Sequence, residues 1–472
     1  MTAEWVKRAQ SELQQYAIEY LKDVGFLAGR GEKFFPVIGY PPLTMYQDMD
    51  ETRLFADLAH RRRDPLSAYL HVPFCPTRCT YCHWITKTRS KAEEVDLYID
   101  YLEREMELYR NKMGGAPIKV ASVLWGGGTP TYPEPAQLER LLQAFHKHFD
   151  LDGCSQFSVE AEPTTLLGKE GLARLQIMKE YGVDRISLGV QSLNNDVLRA
   201  MARAHSHEET LQSIDNMRHA GFDNIFIDLI YGYPGQTVEQ LAAEMLEAVT
   251  LDIEGYQLYR LRIKQHGDRP GKIISQYQRQ PDRFVSADEV LLMKYLGIMI
   301  SEAHGFHEYQ RRVFAKQADK ISHYLRDWCC NLHDVAGVGV SSWSNLGGVF
   351  TQNIGEQDLS KYYGYIDSGS VSVNRGKVRD HDDELRRSFI LPLKNSYVSK
   401  SAFRRRTGVD AGELFAAELT WFKAHDMVYE DADTIKLTAK GGFFADEVCT
   451  QFFNTRYMPF PEVPRVAALP TL

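Results

Sequence analysis

Short apolar runs alternate with longer amphipathic stretches through the middle of this chain. The stretch AEEVDLYIDYLEREMELYRNK, residues 92–112, spaces its apolar side chains three and four positions apart, which is typical of a helix with one buried face. Apolar strands that alternate with such helices predict a parallel sheet covered by helices. About six of these units predict an α/β fold with a complete or partial barrel. The predicted strands are LSAYLHV, KVASVLW, QFSVEAE, RISLGVQS, IFIDLIYG and GYQLYRLRI.

The regions on either side of this core follow other patterns. We expect residues 1–64 to form a helical lead-in, 65–275 the barrel, and 276–379 a connector of mixed pattern. Residues 380–455 show three helical stretches followed by a short strand, DTIKLTAKG, as in a small winged-helix-like domain. Residues 456–472 are expected to be an extended tail.

Composition and charge exclude some classes of function. The chain has 472 residues and a formal net charge of -8, so it is a poor candidate for non-specific nucleic-acid binding. It contains no apolar run of about 18 residues, which predicts that it does not span a membrane. The N-terminal stretch is charged and amphipathic rather than a signal peptide, so we expect a cytoplasmic protein with reduced thiols.

Three of the seven cysteines, Cys75, Cys79 and Cys82, lie within eight residues in the pattern C-x3-C-x2-C. Reduced thiols at this spacing favour a metal centre. His71 or His83 could complete a zinc site with three cysteines and one histidine, which is tetrahedral and closed. An iron–sulfur cubane held by three thiolates would instead keep one iron open for another ligand. The spacing alone leaves both centres open.

Polar residues and glycines follow the predicted strands at their carboxyl ends. The motif GGGTP, residues 126–130, follows the second strand, and Glu160, Glu162, Gln191 and Asp228 lie at the ends of the next three. Because the carboxyl ends of barrel strands form one rim, these residues should lie close to the cysteines. Consecutive glycines let backbone N–H groups approach a ligand, although a tight strand–helix turn would also need them.

Five motifs, taken in order, make the chain similar to a known superfamily. They are the cysteine triplet with Tyr81 before its last cysteine, GGGTP, SVEAEP, RISLGVQS and IDLIYGYPGQT. Together they resemble the radical S-adenosylmethionine (SAM) superfamily and, within it, the oxygen-independent coproporphyrinogen III oxidase-like (HemN-like) family. The resemblance extends from about Tyr40 to about Phe453 and includes GVGVSSWSNLGG and LTAKG. It implies a partial TIM-like barrel with a C-terminal HemN-type winged-helix-like domain.

The resemblance also implies the cofactors and the residues that bind them. A [4Fe–4S] cluster would be held by Cys75, Cys79 and Cys82, and its open iron would bind one SAM. An electron from a partner such as flavodoxin or ferredoxin would then allow cleavage of that SAM to a 5′-deoxyadenosyl radical. The residues that match the surroundings of the first SAM are Tyr69, Tyr81, Gly127, Glu160, Arg262 and Trp343. Those that match a second SAM site are Gly128, Thr129, Gln191, Arg203 and Asp228, unless Asp228 and Arg203 form a structural ion pair.

Departures from the family motifs bear on the reaction. The oxidases continue the triplet with Gly-Cys, whereas His83 and Trp84 follow Cys82 in this chain. The haem chaperones carry His-Asn-x-x-Tyr-Trp where this chain has RDWCCNLHDVAGVG. The leading interpretation is therefore the branch of methyltransferases and cyclopropanases, which use one SAM as radical source and one as methyl or methylene donor. A decarboxylating oxidase, a haem chaperone and a zinc-stabilised structural barrel are the alternatives.

The resemblance implies a small substrate that is flat and conjugated or tetrapyrrole-like. Tyr69, His83 and Glu160 are expected to take part in catalysis. Aromatic side chains would stack on such a substrate and exclude water. The candidates for the substrate side are His83, Trp84, His205 and Tyr231, and the stretch SVNRGKVRDHDDELRRSFI, residues 372–390, is a candidate lid.

Overall fold

The computed structural model describes residues 2–27, 37–42, 45–61, 65–263, 270–353 and 359–457. Thirteen of the described strands form one sheet. In chain order they are β1 (Gln47–Asp48), β2 (Leu66–Val72), β3 (Val123–Gly127), β4 (Phe157–Ala161), β5 (Arg185–Gln191), β6 (Ile225–Tyr231), β7 (Gly255–Arg260), β8 (His307–Gln310), β9 (Val313–Ala315), β10 (Asp334–Val338), β11 (Trp343–Leu346), β12 (Val349–Gln352) and β13 (Arg375–Val378).

Seven of these strands are parallel and lie side by side in the order β10-β2-β3-β4-β5-β6-β7. Antiparallel strands extend the sheet at both edges, with β11, β12, β13 and β1 beyond β10, and β9 and β8 beyond β7. Among the described residues the two edges do not pair with each other. The predicted α/β fold is confirmed, and the barrel is partial.

Helices follow the parallel strands as the apolar spacing predicted. The helix Ala92–Lys112 buries Val95, Ile99, Leu102 and Met106, which recur at three and four positions and pack on the sheet. The other helices of the barrel are Pro135–His148, Gly168–Glu180, Asn195–Ala200, His207–His219, Val238–Ala248 and Ala287–Ala303. Helices outside this set and before the C-terminal domain are Thr2–Leu13, Ile18–Asp23, Glu51–Phe55, Leu58–Arg61, Lys272–Arg279, His323–Cys329 and Ser360–Asp367.

The prediction that GYQLYRLRI is the last clear strand was wrong. Six strands of the main sheet follow β7, and each of them is only three to five residues long. Runs this short do not establish a period of two. One of them, β10, returns to pair in parallel with β2, from Asp334 opposite Leu66 to Val338 opposite Leu70. Local periodicity cannot reveal such a distant pairing.

The C-terminal region is winged-helix-like, as predicted. The helix His381–Asn395 leads into β14 (Tyr397–Ser399), and short helices then precede the hairpin of β15 (Val428–Glu430) and β16 (Thr434–Leu437). The three strands pair antiparallel in the order β14-β16-β15. The sequence prediction missed β14 and β15, which are three residues each. The helices are Lys400–Thr407, Ala411–Leu414, Ala416–Ala424, Ala439–Phe443 and Ala445–Thr450.

Two large groups of apolar side chains form the core. One fills the barrel, while the other joins N-terminal residues such as Leu21 and Phe26 to Phe389 and Phe422 of the C-terminal domain. The domain boundaries given above remain predictions, and most of the predicted tail, 458–472, lies outside the described residues. None of the described helices combines the length and apolar character needed to cross a membrane.

Candidate active site

The cysteine triplet lies on the loop that leaves β2 at the carboxyl edge of the parallel strands. The short strand Phe74–Cys75 pairs with Lys87–Thr88 and closes the base of the loop. Near its tip, the Thr80 N–H donates to the carbonyl of Met201 at 3.0 Å. The loop is therefore fixed at both places by backbone hydrogen bonds.

The three thiols line one cavity of about 360 Å³, which we name the cysteine cavity. The other residues of its wall used below include Tyr81, Thr129, Gln191, Arg203 and Asp228. Burial raises the pKa of Cys75 to about 12, so this thiol is protonated until a metal or cation stabilises its thiolate. The polar neighbours of the sulfurs are Thr129 Oγ1 at 3.5 Å from Cys75, Arg203 Nη1 at 3.1 Å from Cys79 and Thr86 Oγ1 at 3.6 Å from Cys82.

The spacing of the sulfurs fits a cluster better than a single zinc ion. The sulfurs of Cys75, Cys79 and Cys82 do not all lie within 4.8 Å of one another. Tetrahedral zinc with Zn–S bonds of about 2.3 Å would hold its sulfurs about 3.8 Å apart. The candidate fourth ligands are also occupied or displaced: both ring nitrogens of His83 contact backbone groups, and His71 does not line the cysteine cavity. Three thiolates around an open cavity match a cluster with one iron free for a ligand.

The glycine motif packs tightly against the cysteine loop. Gly127 ends β3 with φ +108°, and a Cβ on it would lie 2.5 Å from Nε2 of His71. A Cβ on Gly128 would lie 2.8 Å from the carbonyl oxygens of Val72 and Phe74. Glycine is required at both positions by packing and, at Gly127, by backbone conformation. The strand–helix turn therefore accounts for these glycines, and Gly127 and Gly128 also line the cysteine cavity.

Two carboxyl groups face the cavity from β4 and β6, the strands on either side of β5. Burial, and secondarily the charge of Asp228, raises the pKa of Glu160 to about 7. Burial raises the pKa of Asp228 to about 6, against the opposing effects of Arg185 and Gln257. Asp228 accepts from Nε2 of Gln257 at 2.8 Å, and Glu160 accepts from the Gly127 N–H at 3.3 Å. Such carboxyls are poised to ionise when a cationic group enters.

Arg203 and Asp228 are not an ion pair with each other. Arg203 lies 3.6 Å from the carboxylate of Glu162 and donates to the carbonyl of Gly189 at 2.5 Å. Glu162 also contacts Nδ1 of His205 at 2.8 Å. The structure thus does not favour the alternative in which Asp228 and Arg203 form a structural ion pair with each other.

A second chamber of about 370 Å³ opens beside the cysteine cavity, and we name it the aromatic chamber. Trp343 stacks on Phe350 with ring centroids 5.3 Å apart and lies 4.4 Å from Trp328. Tyr69 and Tyr324 add two further rings, so the wall suits a flat substrate. Residues that line both spaces are Trp84, Gly127, Glu160, Tyr259 and Arg262.

A hydrogen-bonded chain joins the two spaces along the inner face of the sheet. Tyr259 donates through its hydroxyl to Oε1 of Gln257 at 2.5 Å, and Gln257 donates in turn to Asp228. Gln257 is paired opposite Asp228 in the β6–β7 register. This chain connects Asp228, in the wall of the cysteine cavity, to Tyr259, which lines both spaces.

His83 contacts the backbone of two residues outside the cysteine loop, Arg262 and Gly271. Its Nδ1 accepts from the Gly271 N–H at 3.2 Å, and Nε2 lies 3.4 Å from the carbonyl of Arg262. The side chain is 1% exposed. This pairing favours a positioning role over direct proton transfer, and the catalytic role of His83 stays a prediction.

The structure divides the predicted site residues between the two spaces. Tyr69 and Trp343, predicted around the first SAM, line the aromatic chamber and not the cysteine cavity. The predicted residues that line the cysteine cavity are Cys75, Cys79, Tyr81, Cys82, His83, Gly127, Gly128, Thr129, Glu160, Gln191, Arg203, Asp228 and Arg262. Of the set predicted around the first SAM, all but Tyr81 line the aromatic chamber, whereas the whole set predicted around the second SAM lines the cysteine cavity alone. The two sets thus fall largely into the two spaces, and the SAM-binding roles stay predictions.

Three substrate-side expectations are corrected. His205 is buried with both ring nitrogens bonded, to Glu162 and to the carbonyl of Val190, and it lines neither space. Tyr231 belongs to the barrel core. No residue of the proposed lid, 372–390, lines either space, and part of it forms β13, which lies between β1 and β12 in the sheet. The nearby residues that do line the aromatic chamber are Lys394 and Asn395.

The sequence prediction missed several residues of the site. Gln257 and Tyr259 alternate along β7 beside Asp228, so a search for polar residues at period two in GYQLYR would have found them. Tyr324, Trp328 and Arg312 come from short elements outside the recognised barrel, and no local pattern marks them.

An incomplete β/α barrel with three free thiols and two acidic groups at its carboxyl rim defines a class of iron–sulfur enzymes. Family models described as the Radical SAM superfamily and the HemN C-terminal domain match residues 69–247 and 380–444. The chain belongs to the HemN-like family of the radical SAM superfamily. The cofactors of this superfamily are a [4Fe–4S] cluster and SAM, and the three-thiol site fits that cluster.

Similarity to relatives extends over most of the chain. The heme chaperone HemW of Bacillus subtilis is 30% identical over 82% of this chain and 99% of its own length. The oxygen-independent coproporphyrinogen III oxidase of Pseudomonas aeruginosa is 28% identical over 85% of this chain and 89% of its own. The structure of coproporphyrinogen III oxidase (HemN) from Escherichia coli superposes with a TM-score of 0.76 at 26% identity, covering 89% of this chain and 97% of that one.

Proposed function

We propose that this chain is a radical enzyme that transfers a methyl or methylene group from SAM to a flat, conjugated or tetrapyrrole-like substrate. The observation that supports it most is the aromatic chamber, which opens onto the cysteine cavity across Glu160 and Gly127. This arrangement would bring a planar substrate close to the site of radical formation. A reducing partner such as flavodoxin or ferredoxin would supply the electron.

When bound, the cluster supplies the electron that cleaves SAM to the 5′-deoxyadenosyl radical. The residues of the chain bind and orient. Glu160 and Asp228 would accept hydrogen bonds from the ammonium group or ribose hydroxyls of SAM, and Arg203 would orient Cys79, whose sulfur lies 3.1 Å from Nη1. Burial lowers the pKa of Arg203, but Cys79, Tyr81 and Glu162 outweigh burial and raise it, so the guanidinium stays charged.

The finer part of the proposal is the use of two SAM molecules for group transfer. It is supported by the residues after Cys82, because His83 and Trp84 occupy the positions where the resemblance places Gly-Cys in the oxidases. Among the described cysteines only the triplet lines the cysteine cavity. The names of the relatives, a heme chaperone and an oxidase, mark the two alternatives to be tested.

The test is an anaerobic product assay on the reconstituted, reduced protein with SAM and a porphyrin panel, with Cys79→Ala as the cluster-free control. The proposal predicts that 5′-deoxyadenosine and S-adenosylhomocysteine rise together in the wild type and that neither forms with Cys79→Ala. A rise of 5′-deoxyadenosine with carbon dioxide and without S-adenosylhomocysteine would identify an oxidase. Tight haem binding with neither nucleoside product would identify a haem carrier.

A further inference from the structure

Three surface segments meet at the cysteine loop. They are residues 77–80, 195–204 and 270–283. The Thr80 N–H donates to the carbonyl of Met201 at 3.0 Å, and the Ile273 N–H donates to the carbonyl of Thr80 at 2.9 Å. Met201 and Ile273 also share one small apolar cluster with Val197. The three segments therefore form one packed surface beside the cysteines.

These segments concentrate positive charge on an acidic chain. They contain six Lys or Arg and two Asp, whereas the whole chain has a formal net charge of -8. The charged residues are Arg78, Arg199, Arg203, Lys272, Arg279 and Arg283, with Asp196 and Asp282. All of the cations except Arg78 and Arg203 are exposed. We name the three segments together the basic face.

Few of these charges are compensated within the described part of the chain. Asp196 pairs with Arg199, and both side chains are exposed. Lys272, Arg279 and Arg283 form no ion pair with other described residues. Lys272 is the first residue of its helix, where a positive charge is unfavourable to the helix dipole, and the first turn of that helix contains no acidic residue. Helix stability therefore does not explain this lysine.

The basic face contacts the cysteines that would hold the cluster. A Cβ on Gly271 would lie 3.2 Å from the carbonyl oxygen of Cys82 and 3.3 Å from that of Thr80. Nη1 of Arg203 lies 3.1 Å from the sulfur of Cys79. An electron that arrives at this face therefore needs to cross only backbone atoms and a cysteine side chain to reach the cluster.

We propose that the basic face is the docking surface for a small acidic redox protein, of the flavodoxin or ferredoxin type, that reduces the cluster. Opposite charges attract the two proteins before contact and raise their rate of association. One electron leaves the reduced partner and enters the cluster, so the partner is oxidised by one electron and no covalent bond forms or breaks. The inference rests on the part of the proposed function in which a protein supplies the electron, and it does not depend on methyl transfer.

The test titrates an acidic flavodoxin and, separately, an acidic ferredoxin into the reconstituted protein without oxygen and measures binding by calorimetry. We expect at least one of them to bind, with an affinity that falls at least about tenfold between about 0.05 M and about 0.3 M salt. The double variant Lys272→Glu/Arg279→Glu should bind at least about tenfold more weakly than the wild type at low salt. The matched control Arg53→Glu/Arg405→Glu changes the net charge equally at exposed positions outside the basic face and should bind like the wild type.

Stopped-flow absorbance of the cluster then separates docking from the ability of the cluster to accept an electron. The redox protein should reduce the double variant at least about tenfold more slowly than the wild type. Dithionite is a small reductant that needs no docking surface, so it should reduce both forms at the same rate.

Binding of neither redox protein, binding that does not respond to salt, or equal affinity for wild type and double variant overturns the inference. An equal slowing of reduction by dithionite and by the redox protein also overturns it, because the charges would then act on the cluster itself. If the double variant does not take up its cluster, Arg283→Glu, just after the helix, decides the question in its place. Failure of the proposed function is distinct from these results, because none of the measurements uses SAM or a substrate. Salt-dependent reduction by the redox protein without any S-adenosylhomocysteine in the product assay would leave the basic face standing and remove the proposed reaction.

Discussion

At the scale of residues, buried charge is the main feature of the site. The carboxyls of Glu160 and Asp228 have raised pKa values because the rim removes them from water before any cosubstrate is bound. Such groups cost stability and are retained where a ligand later compensates them. Neutralising Glu160 should therefore raise the free energy of unfolding and lower the affinity for SAM.

Glu160→Gln should make the cofactor-free protein more stable at neutral pH. An unfolded glutamate titrates near 4.5, whereas the folded Glu160 keeps its proton up to about 7. Between these values the folded state holds one proton more, so the free energy of unfolding of the wild type falls as the pH rises and then levels off. Gln removes this loss, which is about 3 kcal/mol at pH 8.

Urea denaturation of both forms at pH 5 and pH 8 measures the effect, with the exposed Glu170→Gln as control. The gain from Glu160→Gln should be larger at pH 8 than at pH 5. An equal gain at both values would show that the pKa of Glu160 is not raised.

Asp228→Asn should leave the cluster intact and impair the use of the second SAM. Asp228 lines the cysteine cavity but does not contact the three sulfurs, so the absorbance of the reconstituted cluster should not change. Removing the charge should lower the ratio of S-adenosylhomocysteine to 5′-deoxyadenosine at least about tenfold. Mass spectrometry of the products measures the ratio, and the exposed Asp215→Asn serves as control. Full methylated product from Asp228→Asn would mean that the second-site assignment is wrong.

Sequence reasoning succeeded with residues that lie in contiguous motifs and failed with scattered ones. The cysteine triplet follows a strand that periodicity identifies, and Glu160 and Asp228 lie within two others, so their meeting at one rim could be predicted. Arg312 and Trp328 come from short elements after the recognised barrel, and their meeting depends on how the distant chain folds back. A single sequence contains no local signal for that return.

At the scale of elements, the turn after β3 contains residues that pack against β2 and also line the two spaces. The turn brings Gly127 against His71 of β2 and at the same time forms a wall of both spaces. The bounds of β2, Leu66–Val72, and of the helix Ala92–Lys112 could be predicted to the residue, because their patterns are long and regular. The three-residue strands could not.

Gly127→Ala should destabilise the protein more than Gly114→Ala does. Both glycines have a positive φ, +108° and +112°, so both substitutions carry backbone strain of about 1 kcal/mol. Only the new Cβ at 127 would collide with a neighbour, at 2.5 Å from His71, whereas at 114 there is nothing within 4 Å. The crowding adds about 1–3 kcal/mol and should also impair cluster reconstitution. Chemical denaturation and iron content measure both effects, and equal losses in the two variants would contradict the packing.

At the scale of the whole molecule, the two ends of the chain share one apolar core. Phe26 of the N-terminal region is 1% exposed, and its ring centroid lies 5.5 Å from that of Trp421 and 6.0 Å from that of Phe422. Lys394, whose Nζ contacts both Asp446 and the carbonyl of Val37, lines the aromatic chamber. The C-terminal domain thus contributes to the chamber and depends on the start of the chain.

Phe26→Ala should lower the free energy of unfolding by about 3–5 kcal/mol, because it removes a fully buried ring from this shared core. The control Leu97→Ala removes an apolar side chain that is 46% exposed and should cost less than about 1 kcal/mol. Denaturation of the cofactor-free protein measures both. A loss below 1 kcal/mol for Phe26→Ala would contradict a core shared between the two ends.

The most direct measurement follows the methyl group itself. The reduced, reconstituted protein is given SAM with a deuterated methyl group, together with a carboxylated porphyrin, and the porphyrin is analysed by mass spectrometry. The account predicts that the porphyrin gains a labelled methyl or methylene group while 5′-deoxyadenosine accumulates. The 5′-deoxyadenosine carries deuterium if its hydrogen is taken from the labelled methyl group and is unlabelled if it is taken from the porphyrin. A porphyrin that loses carbon dioxide, or remains unchanged while all label stays in methionine and SAM, would contradict it.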